Sequence, residues 1–246
     1  MVDGIEAGVL LVDKPAGATS FAMVRAVRKI VGIRKVGHAG TLDPFATGLL
    51  LVCIGRPATK MTSHFMDGDK EYHATLRLGA LSSTQDPEGE ITEKSWDKGF
   101  SCKTIRAVMD QFKGEIFQTP PPFSAVKYKG KPLYHYARQG ISIKKEARKI
   151  HIHSLEWEDQ RDFVESSDPF ITIKVVSSKG TYIRTLAADI GEKLGCGAYL
   201  TSLRRTRSGC FSVNDSLSGA AFFEPGALEK VKNCLLSVED VQNLLQ

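Results

Sequence analysis

The sequence predicts a mixed chain of short strands and short helices, and three patterns carry that expectation. Leu49-Leu-Leu-Val-Cys-Ile54 is a continuous apolar run of strand length, as expected of a strand with no solvent face. Tyr72, Ala74, Leu76 and Leu78 alternate with His73, Thr75 and Arg77, the period of a half-buried strand. Phe21, Val24, Val27 and Val31 share one helical face and stop at Gly32, which predicts an amphipathic helix closed by glycine. The other elements follow in order. Val9–Val12 reads as a strand ending at Asp13-Lys-Pro15, with Thr19 or Ser20 capping the helix after it. Gly79 ends the alternating strand, and Ser82–Glu90 is a polar loop. Thr104 is placed to cap a helix to about Phe112, closed by Lys113-Gly114, and Ile150–Trp157 and Phe170–Val176 add strands. Ser178-Lys-Gly180 turns into a helix with Ile183, Leu186, Ile190 and Leu194 on one face and Gly195 at its end. Ala227–Leu236 and Val238–Leu245 read as a short helical tail, and there is no internal repeat or low-complexity tract.

Composition narrows the function classes. The 246 residues suffice for one good core or two small ones, since domains commonly run roughly 100–200 residues. A net charge of +5 is too mild to point to nucleic acid by its total, so the position of each Lys and Arg decides. The absence of any apolar run near the roughly 20 residues of a membrane span, and of a signal-peptide layout, predicts a cytoplasmic protein. Cys53, Cys102, Cys196, Cys210 and Cys234 are odd in number and contain no CxxC pair, which argues against a disulfide framework and a thiolate zinc site. His151 and His153 share a strand face, but no third ligand is evident.

The chemistry concentrates in Gly37-His-Ala-Gly-Thr-Leu-Asp-Pro-Phe-Ala-Thr-Gly-Leu-Leu50, where a single carboxylate, Asp43, sits among glycines, small residues and apolar residues. The glycines permit tight turns, and Pro44 biases Asp43 toward an extended conformation. A turn residue and a catalytic carboxylate are both open readings of this loop. Arg184 falls in the first turn of its helix, where a cation is disfavoured unless an anion faces it, so a carboxylate or phosphate partner is expected.

Residues 119–150 break the rhythm of strands and helices. Lys127, Lys129, Lys131, Arg138, Lys144, Lys145, Arg148 and Lys149 oppose only Glu146, and Phe123, Tyr128, Tyr134 and Tyr136 are interleaved. Cations plus flat aromatic faces suit RNA bases and phosphates; a solvated basic loop with buried aromatics is the alternative. Arg204-Arg-Thr-Arg207 adds to the nucleic-acid side. Ser124-Ala-Val-Lys127 fits the S-x-x-K pattern of serine hydrolases, but the S-D-N and K-T-G elements are missing.

Taken together, Gly8-Val-Leu-Leu-Val-Asp-Lys-Pro15, the Gly37–Gly48 loop, Lys70-Glu-Tyr72, Pro120-Pro-Pro-Phe-Ser-Ala-Val-Lys127, Gly180-Thr-Tyr-Ile-Arg184 and Leu203-Arg-Arg205 resemble the bacterial tRNA pseudouridine-55 synthase (TruB) family over about residues 8 to 210. The resemblance implies an α+β pseudouridine synthase fold: a mixed, largely antiparallel sheet flanked by helices, an active cleft across it, and the basic insertion as a thumb over RNA. It implies a catalytic domain over 1–212, with the thumb at about 119–150; the short helical tail expected over 213–246 without a PUA domain is a departure, since many family members continue there into one. It implies conversion of uridine 55 in the tRNA T loop to pseudouridine, with Asp43 catalytic, Tyr72 stacking on the base, Arg184 beside the aspartate, and His38, Tyr182 and Leu203 contacting substrate. Phe123 departs from the pattern, standing where the family usually has tyrosine.

The implied reaction breaks the N1–C1′ bond, turns the uracil and rejoins it through C5. Nothing in it requires a cofactor, metal or group donor, so none is expected. Asp43 as nucleophile at C1′ and Asp43 as base for the 2′ proton are both open. Either needs the anion, which a neighbouring guanidinium favours. The expected partner is the tRNA T stem-loop, extruding its uridine at a cost of a few kcal/mol. No membrane and no obligate protein partner is expected, and a monomer suffices. The runner-up is a noncatalytic tRNA-folding helper using the same cleft.

Overall fold

The computed structural model describes residues 5–96, 99–141, 143, 145–159 and 161–245. The chain forms two compact units, one of residues up to Tyr72 together with those from Arg204 onward, the other of His73–Leu203.

In the first unit the buried run becomes the central strand Thr47–Ile54. One edge pairs antiparallel with Gly8–Lys14, from Gly8 opposite Ile54 to Lys14 opposite Gly48. The other edge is shared. Val36–Ala39 lies antiparallel along Leu51–Ile54, and Arg204 and Arg205 lie parallel to Thr47 and Gly48. Because the arginine segment occupies that edge, the chain between Ala39 and Thr47 leaves the sheet as the Asp43 loop. Gly48, at φ +98°, makes this crossing possible, since a Cβ there would lie 2.2 Å from the Arg205 carbonyl oxygen.

The helix Ser20–Val31 starts at Thr19, whose hydroxyl accepts from Ala22 N–H, and ends at left-handed Gly32. Its buried face is Ser20, Met23, Val24, Val27 and Val31. Phe21 was expected on that face and is instead 53% exposed, lying beneath the guanidinium groups of Arg25 and Arg28. Position 23 falls within the buried arc where position 21 does not.

The expected tail is more than a pair of helices. Between Ala227–Cys234 and Val238–Leu244, Leu235 and Leu236 pair antiparallel with Leu10 and Val9. Gly8 accommodates this contact, because a Cβ would lie 2.4 Å from the Leu236 carbonyl oxygen. Val231, Val241 and Phe211 are buried in this unit.

In the second unit Arg148–Trp157 pairs antiparallel with Gly114–Gln118 on one side and Phe170–Ser177 on the other. The Lys70–Leu78 strand, whose first three residues belong to the first unit, keeps strict alternation of buried and partly exposed residues, as its sequence predicts. The helices Cys102–Asp110 and Ile183–Leu194 pack together. Ser101, not Thr104, caps the first of these: its hydroxyl accepts from Thr104 N–H at 3.1 Å. Both residues are capping types, and the Ser101 and Thr104 hydroxyls also meet at 2.9 Å. The predicted α+β class with mixed, mostly antiparallel pairing describes what is observed.

Candidate active site

Asp43 is half-buried at the tip of a loop held on every side by hydrogen bonds to its backbone. Before it, Leu42 N–H donates to Ser20 Oγ at 2.9 Å, and the Ser20 hydroxyl donates to the Leu42 carbonyl at 3.0 Å. After it, the Pro44 carbonyl accepts from Gly17 N–H at 2.9 Å and from Lys14 Nζ at 3.1 Å. Lys14 is 0% exposed, and its ammonium also donates to the carbonyls of Pro15 and Ala18. On the far side Arg205, 2% exposed, donates from Nε to the Leu49 carbonyl at 2.7 Å and from Nη2 to the Gly40 carbonyl at 2.9 Å. Buried cations are tolerated when their donors are satisfied, and here they hold main chain on both flanks of the carboxylate.

His38 lies on the Val36–Ala39 strand, with a buried Nδ1. Burial first, and the Arg205 charge second, lower its pKa, so the imidazole is neutral at pH 7. Tyr72 is buried on the strand that starts at Lys70, whose ammonium donates to the Met66 and Gly68 carbonyls.

The second unit holds Tyr182, Arg184 and Leu203. Arg184 is the second residue of the helix Ile183–Leu194 and is 3% exposed. The expected anion includes Asp86, whose carboxylate accepts from Arg184 Nη1 at 3.0 Å with both side chains buried. Arg184 also donates to the carbonyls of Thr84 (2.9 Å) and Phe123 (2.8 Å). Tyr182 is half-buried and Leu203 buried.

Asp86 is the residue that sequence reasoning missed, inside what reads as a plain polar loop. Its signal was an acid before a proline, Asp86-Pro87, as at Asp43-Pro44. Its carboxylate also accepts from Glu88 N–H at 3.0 Å, and Gln85 beside it adopts φ +65°.

The basic segments divide. Of Arg204-Arg-Thr-Arg207, Arg204 forms a two-bond pair with Asp13 (2.8 and 3.0 Å), Arg205 is buried, and Arg207 donates to the Gly209 carbonyl. Arg205 therefore serves the fold, while Arg204 and Arg207 stay partly exposed. In the insertion, Tyr128 and Tyr136 pack edge to face at 5.8 Å, Lys129 and Lys145 sit over Tyr128, and Tyr134 is exposed beneath Arg138. Lys144 lies outside the described residues.

A second basic stretch also escaped the sequence reading. Between residues 16 and 66 the cations are Arg25, Arg28, Lys29, Arg34, Lys35, Arg56 and Lys60, and the one acid is Asp43. Arg34 and Lys35 lie beside Arg56, because Gly55 N–H donates to the Lys35 carbonyl at 2.8 Å. The His151 and His153 rings do meet, at 4.5 Å, but no group of three metal-ligating side chains gathers among the described residues.

The family model described as "TruB family pseudouridylate synthase (N terminal domain)" matches residues 28–183, and "tRNA pseudouridylate synthase B C-terminal domain" matches 184–241. The chain belongs to the TruB family of pseudouridylate synthases. It is 56% identical over 242 residues to a protein of Desulfotalea psychrophila named tRNA pseudouridine synthase B, covering 98% of this chain and 97% of that one. A protein of the same name from Protochlamydia amoebophila is 43% identical, covering 91% and 82%. Among solved structures, a "Crystal Structure of a Cbf5-Nop10-Gar1 Complex" gives a TM-score of 0.69 at 29% identity, covering 96% of this chain and 62% of that one. A "Crystal structure of the archaeal box H/ACA sRNP Nop10-Cbf5 complex" gives 0.66 at 27%, covering 96% and 61%. This chain thus spans about six-tenths of those Cbf5-complex chains. Within the TruB frame, His38, Asp43, Tyr72 and Tyr182 fall in the N-terminal match, while Arg184 and Leu203 fall in the C-terminal one.

Proposed function

We propose that this TruB-family protein converts uridine 55 of the tRNA T loop to pseudouridine, with Asp43 as the catalytic carboxylate. The observation that carries the reading is the pinning of the Asp43 loop by Ser20, Lys14 and Arg205, which fixes main chain on both sides of one half-buried acid. A turn residue needs no such framework; a carboxylate that must meet C1′ in one orientation does.

Asp43 either attacks C1′ or removes the 2′ proton; in both routes N1–C1′ breaks, the uracil turns, C5–C1′ forms and the C5 proton leaves. Tyr72 stacks on the extruded base, Tyr182, Arg184 and Leu203 contact the nucleotide, and neutral His38 contacts the RNA without adding charge. The 119–150 insertion acts as a thumb, with exposed Tyr134 and the surrounding cations meeting RNA. The seven-cation stretch between residues 16 and 66 suits phosphate. The working form is a cytoplasmic monomer without cofactor; among the described residues no helix is long and apolar enough to cross a membrane.

The test is tritium release from a T-arm stem-loop carrying 5-tritiated uridine, without added metal. Native protein releases about one tritium per RNA by the stoichiometry of isomerisation, and Asp43→Asn lowers the rate by at least about a thousandfold while retaining RNA binding. Binding with no release by the native protein leaves only the folding-helper reading.

A further inference from the structure

We propose that Gln118 is a positioning residue for the substrate-contacting segment Tyr182–Arg184, acting through the peptide groups of Tyr182. The inference rests on the reading of Tyr182 and Arg184 given above. Gln118 ends the strand Gly114–Gln118 and is 3% exposed. Its carboxamide forms a reciprocal pair with one residue: Tyr182 N–H donates to Oε1 at 2.7 Å, and Nε2 donates to the Tyr182 carbonyl at 3.0 Å. A neutral amide presents a donor and an acceptor side by side, as this pairing requires.

The pair acts at a sensitive point. Tyr182 is the N-cap of the Ile183–Leu194 helix, extended at φ −99° and ψ 106°, and its own side chain makes no capping bond. Its carbonyl also accepts the first helical bond, from Leu186 N–H at 3.0 Å. Gln118 therefore holds both main-chain groups of the N-cap residue and sets the direction in which the helix, with Arg184 in its first turn, begins.

The same stretch grips Arg184 a second time. From Gln118 the chain runs through Thr119 and three prolines to Phe123, whose carbonyl accepts from Arg184 Nη2 at 2.8 Å. Three consecutive prolines restrict that spacer, so the hold on Tyr182 and the hold on Arg184 are mechanically linked. Gln118 also lies opposite Arg148, where the insertion returns to the sheet. The root of the insertion and the start of the site helix meet at this one side chain.

Gln118→Glu separates positioning from mere packing. A protonated carboxyl reproduces the donor and acceptor of the amide, whereas an ionised one turns a second acceptor toward the Tyr182 carbonyl. Charged groups near the position include Arg148 across the strand pair and Arg184 with Asp86 beyond Tyr182, and dividing by the native rate removes their own effects. Single-turnover tritium release is measured for native protein, Gln118→Glu and Gln118→Ala, with RNA binding and a melting curve at each pH. The ratio of Gln118→Glu to native rate is expected to fall by about tenfold or more as the new carboxyl ionises, with RNA affinity within about threefold. Gln118→Ala is expected to be slow at every pH. A ratio that stays constant with pH, or a native rate in Gln118→Ala, overturns the proposal. Where melting curves show Gln118→Glu unfolded at high pH, Gln118→Met supplies the volume without the bonds, and a native rate in that variant overturns it equally. Native protein that releases no tritium refutes the proposed function instead, so the two failures are distinguishable.

Discussion

Around Asp43 the buried cations donate to main chain: Lys14 to the Pro44 carbonyl, Arg205 to those of Gly40 and Leu49. At the start of the Ile183 helix the buried cation is itself the proposed site residue, Arg184, paired with the Asp86 carboxylate, and the main chain of Tyr182 two residues before it is held by the neutral amide of Gln118. The first arrangement uses charge to shape a loop around an acid. The second uses neutral bonds to shape a helix start around a cation. Neutralising a cation that binds carbonyls leaves polar groups short of a donor, whereas removing Asp86 leaves a full charge buried beside fewer partners, which costs more.

That asymmetry sets the largest expected effect on stability. Asp86→Ala should destabilise the protein by about 3–5 kcal/mol, the cost of breaking a buried pair from one side, read as a lower midpoint in urea unfolding. Adding Arg184→Met should recover much of that loss without restoring tritium release. Single-variant costs that simply add would show the two groups to be uncoupled and would break the comparison.

Arg205→Lys comes next. Lysine keeps the charge but lacks the planar fork that reaches Leu49 and Gly40 together, so a loss of about 1–3 kcal/mol is expected. The modification rate should fall by about tenfold or more through misplacement of Asp43, with little change in RNA affinity. Arg205→Met should in addition raise the His38 pKa by removing the nearby positive charge, observable in the imidazole chemical shifts as pH is varied. A rate unchanged in both variants would mean that Arg205 builds the sheet without orienting the loop.

The same contrast explains what was legible in the sequence. The strands Thr47–Ile54 and Lys70–Leu78 and the two glycine-closed helices follow from local patterns, since burial period and capping glycines are written within a few residues. The Asp43 loop was legible too, because a lone acid among glycines is a local oddity. What holds it was not: Lys14 and Arg205 reach it from 30 and 165 residues away in the hydrogen bonds to Pro44 and Gly40, and Arg205 looked like part of a surface patch. Asp86 and Gln118 were hidden for the same reason, their partners being 98 and 64 residues distant. Thr104 and Phe21 were misassigned where neighbouring positions satisfy the same local rule and only packing chooses.

Ser20→Ala probes the neutral part of the first arrangement. It deletes both bonds to Leu42, and a loss of about 1–2 kcal/mol is expected because Leu42 N–H is buried and left unpaired. If the buried cations alone shape the loop, the variant should retain the native modification rate; a rate loss matching that of Arg205→Lys would show that neutral and charged holds are equivalent there.

The smallest expected effect lies further along the Ile183 helix. Burial, and then the charge of Glu192, raise the pKa of Asp189 from the ordinary 3.8 to about 6. A folded-state pKa above the unfolded value means that the folded chain binds the proton more tightly. The associated stability is therefore complete below about pH 4 and is lost as pH rises through about 6. Asp189→Asn removes the titration, so its melting temperature should match the native one in acid, exceed it increasingly toward neutrality, and keep a constant lead above about pH 7. Since the carboxyl is partly exposed, the gain should not exceed about 1 kcal/mol after solvent screening. Because the substitution touches neither Gln118 nor Asp86, the modification rate should stay native across that range. A rate that followed the stability gain would show that motion of the whole helix, and not the hold on its first turn, governs Arg184.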